Sequence, residues 1–161
     1  FSPAALLVQV CDALSPLLSQ NNNRLVLDID SDRMRDINSD RGKLQQIVTN
    51  LFSNACKFTK EGDITVSASM TADALNVAVA DTGIGMTQAQ QDRVFEAFTQ
   101  AESNTGLQYG GTGLGLAIVR EFCTMLGGSI ALESRPDEGS VFRVTLPAGP
   151  TSVRALSLIH I

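Results

Sequence analysis

The sequence predicts an α/β fold, a two-layer α/β sandwich whose mixed, mostly antiparallel sheet carries its helices on one face. Two observations lead there. Alternating apolar segments arrive in consecutive pairs, in hairpin order, and segments of helical periodicity separate the pairs. The resulting order, α-β-β-α-β-β-α-α-β-β, suits one largely antiparallel sheet covered on one side rather than a doubly wound parallel sheet. A third observation sets the scale: 161 residues, 43% of them hydrophobic, suffice for one domain around one core.

Ser2-Pro3 is a helix start, a hydroxyl N-cap followed by proline at the first helical position. The helix is expected from Ala4 to about Ser19, with Leu6, Leu7, Val10, Ala13, Leu14 and Leu17 on one side, and Asn21-Asn22-Asn23 breaks it. Residues 24–30 alternate as a strand, and Arg35 to Asn38 is a short second one. Asp40 is an N-cap for a helix from Arg41 to Phe58, with Gly62 shortly after its end. Ile64, Val66, Ala68 and Met70, then Leu75, Val77 and Val79, form a hairpin turning at Ala72-Asp73. Thr87 caps a short helix to about Val94, and Thr99 to Gly110 has no periodicity. Gly113 to Leu126 is a helix stopped by Gly127-Gly128. Ser129 to Ser134 and Val141 to Leu146 form a last hairpin around Pro136-Asp137-Glu138-Gly139. The body is expected to end at Pro147, with residues 148–161 as a linker or tail.

The formal net charge of −5 argues against a general nucleic-acid binder, which needs a basic face. No apolar run approaches a membrane span of about 18 residues. The first ten residues hold neither an initiator Met nor a basic leader, so the chain reads as a piece of a larger protein. Cys11, Cys56 and Cys123 are widely spaced and read as buried, reduced thiols. The one histidine, His160, is the penultimate residue, so the body holds no Ser-His-Asp triad, Cys-His pair or zinc site.

Three motifs carry chemistry. On the helix from Arg41, at about 100° per residue, Asn50, Asn54 and Lys57 share an arc of about 60° beside the apolar stripe. A solvated flank explains that pattern. So does a site, since an amide oxygen ligates hard cations and an ammonium contacts phosphate. Asp81-Thr-Gly-Ile-Gly-Met86 follows a strand directly; it is either a simple turn or a carboxylate placed to accept from an exocyclic amine beside glycines that admit a ligand. Gly110-Gly-Thr-Gly-Leu-Gly-Leu116 opens a helix, where amides and the positive helix end suit phosphate. It has neither the Gly-Lys-Ser/Thr of a Walker A loop nor dinucleotide spacing.

In this order and spacing, LQQIVTNLFSNACKFT, DTGIGM, FEAF and GGTGLGLAIV resemble the ATP-binding catalytic domain of sensor histidine kinases, of the Bergerat-fold ATPase superfamily. The resemblance runs from Phe1 to Pro147, and FEAFTQAES looks most like the large hybrid kinases. It implies a domain that binds ATP with Mg²⁺. Asn54 would ligate the metal, helped by Asn50, which is also the catalytic-site residue. Lys57 would contact phosphate and Phe58 would pack at the nucleotide edge. Asp81 would accept from the adenine amino group, with Gly83 and Gly85 giving the base room and Ile84 and Met86 lining it. Thr99 to Gly110 would be a lid hinged on Phe95 and Phe98. Gly111, Thr112, Gly113, Leu114 and Gly115 would surround the phosphates, and Thr145 would reach adenine through water.

The resemblance also implies partners: a histidine-bearing dimerisation domain of the same parent protein, and a response-regulator receiver downstream. No nucleic acid and no direct membrane contact are expected. The domain is expected to be cytoplasmic and, isolated, monomeric. Hydrolysing relatives carry glutamate where this chain has Asn50, so it lacks the base that activates water. Leu107 and Gln108 depart from the family's basic lid residues, which removes a cationic contact and leaves a degenerate, non-catalytic module of the same fold as the alternative.

Overall fold

Pro16 divides the first helical segment. The computed structural model describes residues 1–30, 32–95 and 114–148, with Leu114 by its backbone only. It has α1 at Pro3–Ala13 and α2 at Ser15–Gln20 where one helix to Ser19 was expected. Proline offers no N–H and its ring crowds the carbonyl four residues back, so Pro16 fits only in the first turn of a new helix. Ser2 caps α1, its hydroxyl accepting from Ala5 N at 3.1 Å.

Strand β1 (Arg24–Ile29) pairs in parallel with β2 (Asp63–Met70), and β3 (Ala74–Asp81), β4 (Ser129–Arg135) and β5 (Gly139–Pro147) complete the sheet antiparallel, in the order β1-β2-β3-β5-β4. The expected short strand at Arg35 to Asn38 does not form. Ile37 instead exchanges single hydrogen bonds with the chain start, its N–H donating to Phe1 O and its carbonyl accepting from the Phe1 amine. Arg35 spans to the β2–β3 turn, donating to Thr71 O and Ala72 O.

Helix α3 (Arg41–Phe58) starts where the sequence placed it, with Asp40 Oδ1 accepting from Lys43 N at 3.0 Å. That hydrogen bond holds the Asp40 carboxyl below its ordinary range. The inward stripe Leu44, Ile47, Val48, Leu51, Phe52 and Ala55 packs in one core with Leu6, Leu7 and Val10 of α1 and the inward residues of the sheet. Helix α4 (Gln88–Arg93) carries a full capping box, Thr87 with Gln90. Helix α5 (Leu114–Met125) lies beside α3 and over β4 and β5. Period-two burial puts Ile64, Val66, Ala68 and Met70, Leu75, Val77 and Val79, and Phe142, Val144 and Leu146 on the helix side. Ala148, the residue after Pro147, is buried and donates to Asp73 O at 2.9 Å. Residues 149–161 lie outside the described residues.

Cys11, Cys56 and Cys123 are buried free thiols, and burial pushes each pKa up to about 11.

The asparagines after α2 do more than end a helix. Asn23 Nδ2 donates to Thr59 O at 2.8 Å and Cys56 O at 3.3 Å, and its Oδ1 accepts from Gly62 N at 3.1 Å. Asn21 Nδ2 also donates to Cys56 O. These bonds satisfy carbonyls that a helix end leaves orphaned, and fix the chain leaving α3. With each bond contributing about 0.5–1.5 kcal/mol, Asn23→Ala should cost about 2–3 kcal/mol in urea denaturation. A midpoint unchanged from wild type would show that the three bonds contribute nothing.

Candidate functional site

The site is built where three segments meet: the C-terminal half of α3, the end of β3 with its glycine loop, and the start of β5. Asp81 pairs in register with Ser140 across β3 and β5, on the helix-facing side of the sheet. Its Oδ1 accepts from Gly83 N at 2.9 Å. Burial pushes the Asp81 pKa up, while the backbone of Gly83 and Ser140 and the hydroxyl of Thr59 pull it down. Thr59 is fully buried, and its Oγ1 has no partner at hydrogen-bonding distance among the described residues. It acts on the carboxyl from farther away.

The loop after Asp81 is fixed on both sides. Ile84 N donates to Phe58 O at 3.2 Å and Asp137 N donates to Ile84 O at 2.7 Å. Met86 N donates to Ser134 Oγ at 2.8 Å, and Gln91 Nε2 joins Met86 O and Ser134 O. Ser134 Oγ shares a 2.7 Å hydrogen bond with Ser140 Oγ. Ser134, Ser140 and Gln91 thus bolt the loop to the β4–β5 hairpin.

The two loop glycines do something other than give a base room. A Cβ on Gly83 would lie 2.2 Å from Phe58 O, and one on Gly85 would lie 1.8 Å from Arg135 O. Each missing side chain faces the protein's own backbone, so the glycines let the loop seat against α3 and β4. Ile84 is half exposed and Met86 is partly buried against the core.

Along α3, Asn50, Asn54 and Lys57 share a face as the periodicity requires. Asn50 is engaged at both ends of its amide: Nδ2 donates to Gly115 O at 3.0 Å and Oδ1 accepts from Gln46 Nε2 at 2.7 Å. It latches the first turn of α5 to α3, leaving one lone pair on Oδ1 for a further ligand. Asn54 is half buried, and its amide makes no side-chain hydrogen bond among the described residues. Lys57 is exposed, its Nζ 5.8 Å from the Phe58 ring centroid. Among the described residues no group of three His, Cys, Asp or Glu side chains gathers to hold a metal. The amide oxygen of Asn54, paired with the spare lone pair of Asn50, is the donor set that suits a hard cation such as Mg²⁺.

Thr145 is not part of the site. It pairs with Asn76, five residues along β5 from Ser140 and therefore about 17 Å away. Its side chain projects from the opposite face, where its hydroxyl donates to Asn76 Oδ1 at 3.0 Å. The inward position beside Asp81 belongs to Ser140. Sequence reasoning missed Ser140, Thr59, Ser134 and Gln91. Phe95, expected as a lid hinge, packs edge-on against Phe142 with ring centroids 6.2 Å apart and lies under the Arg120 guanidinium. Phe98, the lid Thr99 to Gly110 with Leu107 and Gln108, and Gly111, Thr112 and Gly113 lie outside the described residues, as does the Leu114 side chain.

Residues 39–150 match the model of the histidine kinase-, DNA gyrase B-, and HSP90-like ATPase family. The chain belongs to that family. Within the family it is a histidine-kinase catalytic domain, the ATP-binding kind. The signal transduction histidine-protein kinase BarA of Escherichia coli is 42% identical over 123 residues, covering 73% of this chain and 13% of BarA. The sensor histidine kinase AruS of Pseudomonas aeruginosa is 40% identical over 147 residues, covering 88% and 15%. The chain therefore spans about a seventh of the length of these relatives.

Solved structures of the histidine-kinase type agree in fold. The catalytic domain of histidine kinase ThkA in a nucleotide-free form superposes with a TM-score of 0.78 at 27% identity, over 93% of this chain and 97% of that one. Full-length ShkA, crystallised with AMPPNP, superposes with a TM-score of 0.77 at 33% identity, over 89% and 29%. No helix among the described residues is long and apolar enough to cross a membrane.

Proposed function

We propose that this domain binds Mg²⁺-ATP where α3 meets the Asp81 loop and donates the γ-phosphoryl group to a histidine on a separate dimerisation domain of the same parent protein. What supports the reading is one partly buried carboxylate, Asp81, at the head of a loop seated against the end of α3, the helix whose periodicity puts Asn50, Asn54 and Lys57 on one face. Asp81 accepts from the adenine amino group, and Ser140, rather than Thr145, stands beside it. Asn54 and the spare lone pair of Asn50 would hold the metal, which when bound neutralises phosphate charge. Lys57 adds a cation on an exposed stem that reaches phosphate. Gly111, Thr112, Gly113, Leu114 and Gly115, which lead into α5 in the sequence, would supply backbone amides to the phosphates.

No carboxylate stands at position 50 to take a proton from water, so hydrolysis lacks a general base typically worth 10²–10⁴-fold. The acceptor is an imidazole nitrogen from outside the body: it bonds to the γ-phosphorus as the bond to the β-phosphate oxygen breaks, ADP leaves, and the ring sheds its N–H proton. A receiver domain would take the phosphoryl group next. The domain works in the cytoplasm, touches neither nucleic acid nor membrane, and is a monomer when isolated.

The test uses γ-labelled ATP, with the chain alone and with a histidine-bearing helical dimerisation domain added. Label should reach the helical domain only, phosphate release should stay slow, and Asn54→Ala should lose the metal-dependent part of ATP affinity while keeping its fold. Label on residues 1–148, or rapid phosphate release, would refute the assignment. Tight ATP binding without transfer would favour a non-catalytic module.

A further inference from the structure

We propose that Thr59 is a positioning residue for base recognition: its buried hydroxyl, aimed at the Asp81 loop from the end of α3, donates to the Asp81 carboxyl when a base engages it and so fixes the oxygen that the base meets. This rests on the adenine-binding reading above.

Three observations carry it. First, Thr59 is one of two buried polar residues in the described core, the fully buried one, and its Oγ1 has no hydrogen-bond partner among the described residues. A buried hydroxyl without a partner costs folding free energy that an isosteric valine would not. Second, the side chain is held in one orientation. Its carbonyl is anchored by Asn23 Nδ2 at 2.8 Å. Its methyl faces Gly62, where an added Cβ would lie 2.7 Å from Cγ2, and its hydroxyl faces Gly83, where an added Cβ would lie 2.7 Å from Oγ1. Third, Gly83 is the residue whose N–H holds Asp81 Oδ1. The hydroxyl therefore sits against the backbone that presents the carboxylate, and it favours the charged form of that carboxylate.

Of the groups stabilising the Asp81 charge, the Gly83 and Ser140 contributions come from backbone. Thr59 supplies the one that a side-chain substitution removes. A small settling of the loop as the base enters closes the gap between donor and acceptor. One carboxylate oxygen is then committed to the protein and the other to the exocyclic amine, which separates adenine from guanine, whose carbonyl at that position repels a carboxylate.

The experiment measures ADP and GDP affinity by calorimetry, and melting temperature, for wild type, Thr59→Val, Thr59→Ser and Asp81→Asn. Thr59→Val should melt at or above wild type, bind ADP about five- to twentyfold more weakly, and show a narrower gap between ADP and GDP. Thr59→Ser should behave as wild type. Wild-type ADP affinity in Thr59→Val, or a clear fall in its melting temperature, overturns the proposal, the latter because the hydroxyl would then serve the fold. Loss of affinity in Thr59→Ser as well overturns it by assigning the effect to the methyl. If Asp81→Asn weakens ADP and Thr59→Val does not, only the role of Thr59 falls; if wild type binds no ADP, the nucleotide reading falls with it.

Discussion

Asp81→Asn should weaken ADP binding about ten- to a hundredfold and, at neutral pH, raise the melting temperature of the nucleotide-free domain. The first effect follows from replacing a charged acceptor by an amide: hydrogen bonds to charged groups contribute about 1.5–3 kcal/mol, and about 1.4 kcal/mol is a factor of ten. The second follows from linkage. Burial is the largest influence on the Asp81 carboxyl and raises its pKa; the backbone at Gly83 and Ser140 and the Thr59 hydroxyl offset this only in part. The native state therefore keeps its proton to higher pH than the unfolded chain does. Between the two pKa values the native state binds more protons, so stability falls as pH rises, and above both the ionised group is a net cost. Asparagine has no such cost, and its oxygen still accepts from Gly83 N. The gain should be full at pH 7 and shrink as pH falls through the raised native pKa toward the ordinary carboxylate range. Calorimetry with ADP and melting curves at neutral and acid pH check both halves. A variant that melts lower than wild type at pH 7 would show that the charge supports the fold.

What the sequence revealed, and what it hid, follows from the range of the interactions involved. Helix α3 was legible from Asp40 to Phe58 because its cap, its stripe and the Asn50–Asn54–Lys57 face are all local periodicity. The hairpins were legible for the same reason. The break at Pro16 was also legible in principle, since a proline inside a helical pattern ends the helix before it; the apolar spacing across it suggested continuity. Thr145 was assigned to the site by resemblance, against the strand's own alternation. With Phe142, Val144 and Leu146 inward, residue 145 points outward and residue 140 inward, and the register with β3 sets Ser140 beside Asp81. Asn23 looked like a helix breaker because its three partners lie 33 to 39 residues away. Thr59 gave no signal: one hydroxyl after a helix end becomes a buried, unpartnered group only once the Gly83 loop closes over it.

Gly85→Ala should cost about 3–5 kcal/mol and unseat the Asp81 loop, whereas Gly42→Ala should stabilise slightly. Gly85 has φ of +67°, where an L side chain costs about 1–2 kcal/mol on backbone grounds alone. The larger cost is steric. An added Cβ would lie 1.8 Å from Arg135 O, 2.7 Å from Arg135 C and 3.2 Å from Gly139 O. Those atoms are the backbone of the β4–β5 hairpin and cannot swing aside as a side chain would. The loop must lift, which strains the bonds from Asp137 N to Ile84 O and from Met86 N to Ser134 Oγ, each contributing about 0.5–1.5 kcal/mol. At Gly42, in the exposed first turn of α3, an added Cβ would meet only Asp40 Oδ1 at 3.4 Å, and alanine gains up to about 1 kcal/mol of helix propensity. Urea denaturation of the two variants should therefore move in opposite directions. The displaced loop in Gly85→Ala carries Asp81's partner Gly83 with it, so ADP affinity should fall along with stability. A Gly85→Ala domain that keeps wild-type stability would mean that the hairpin yields freely. One that loses stability yet binds ADP as wild type would separate the seating of the loop from the presentation of Asp81.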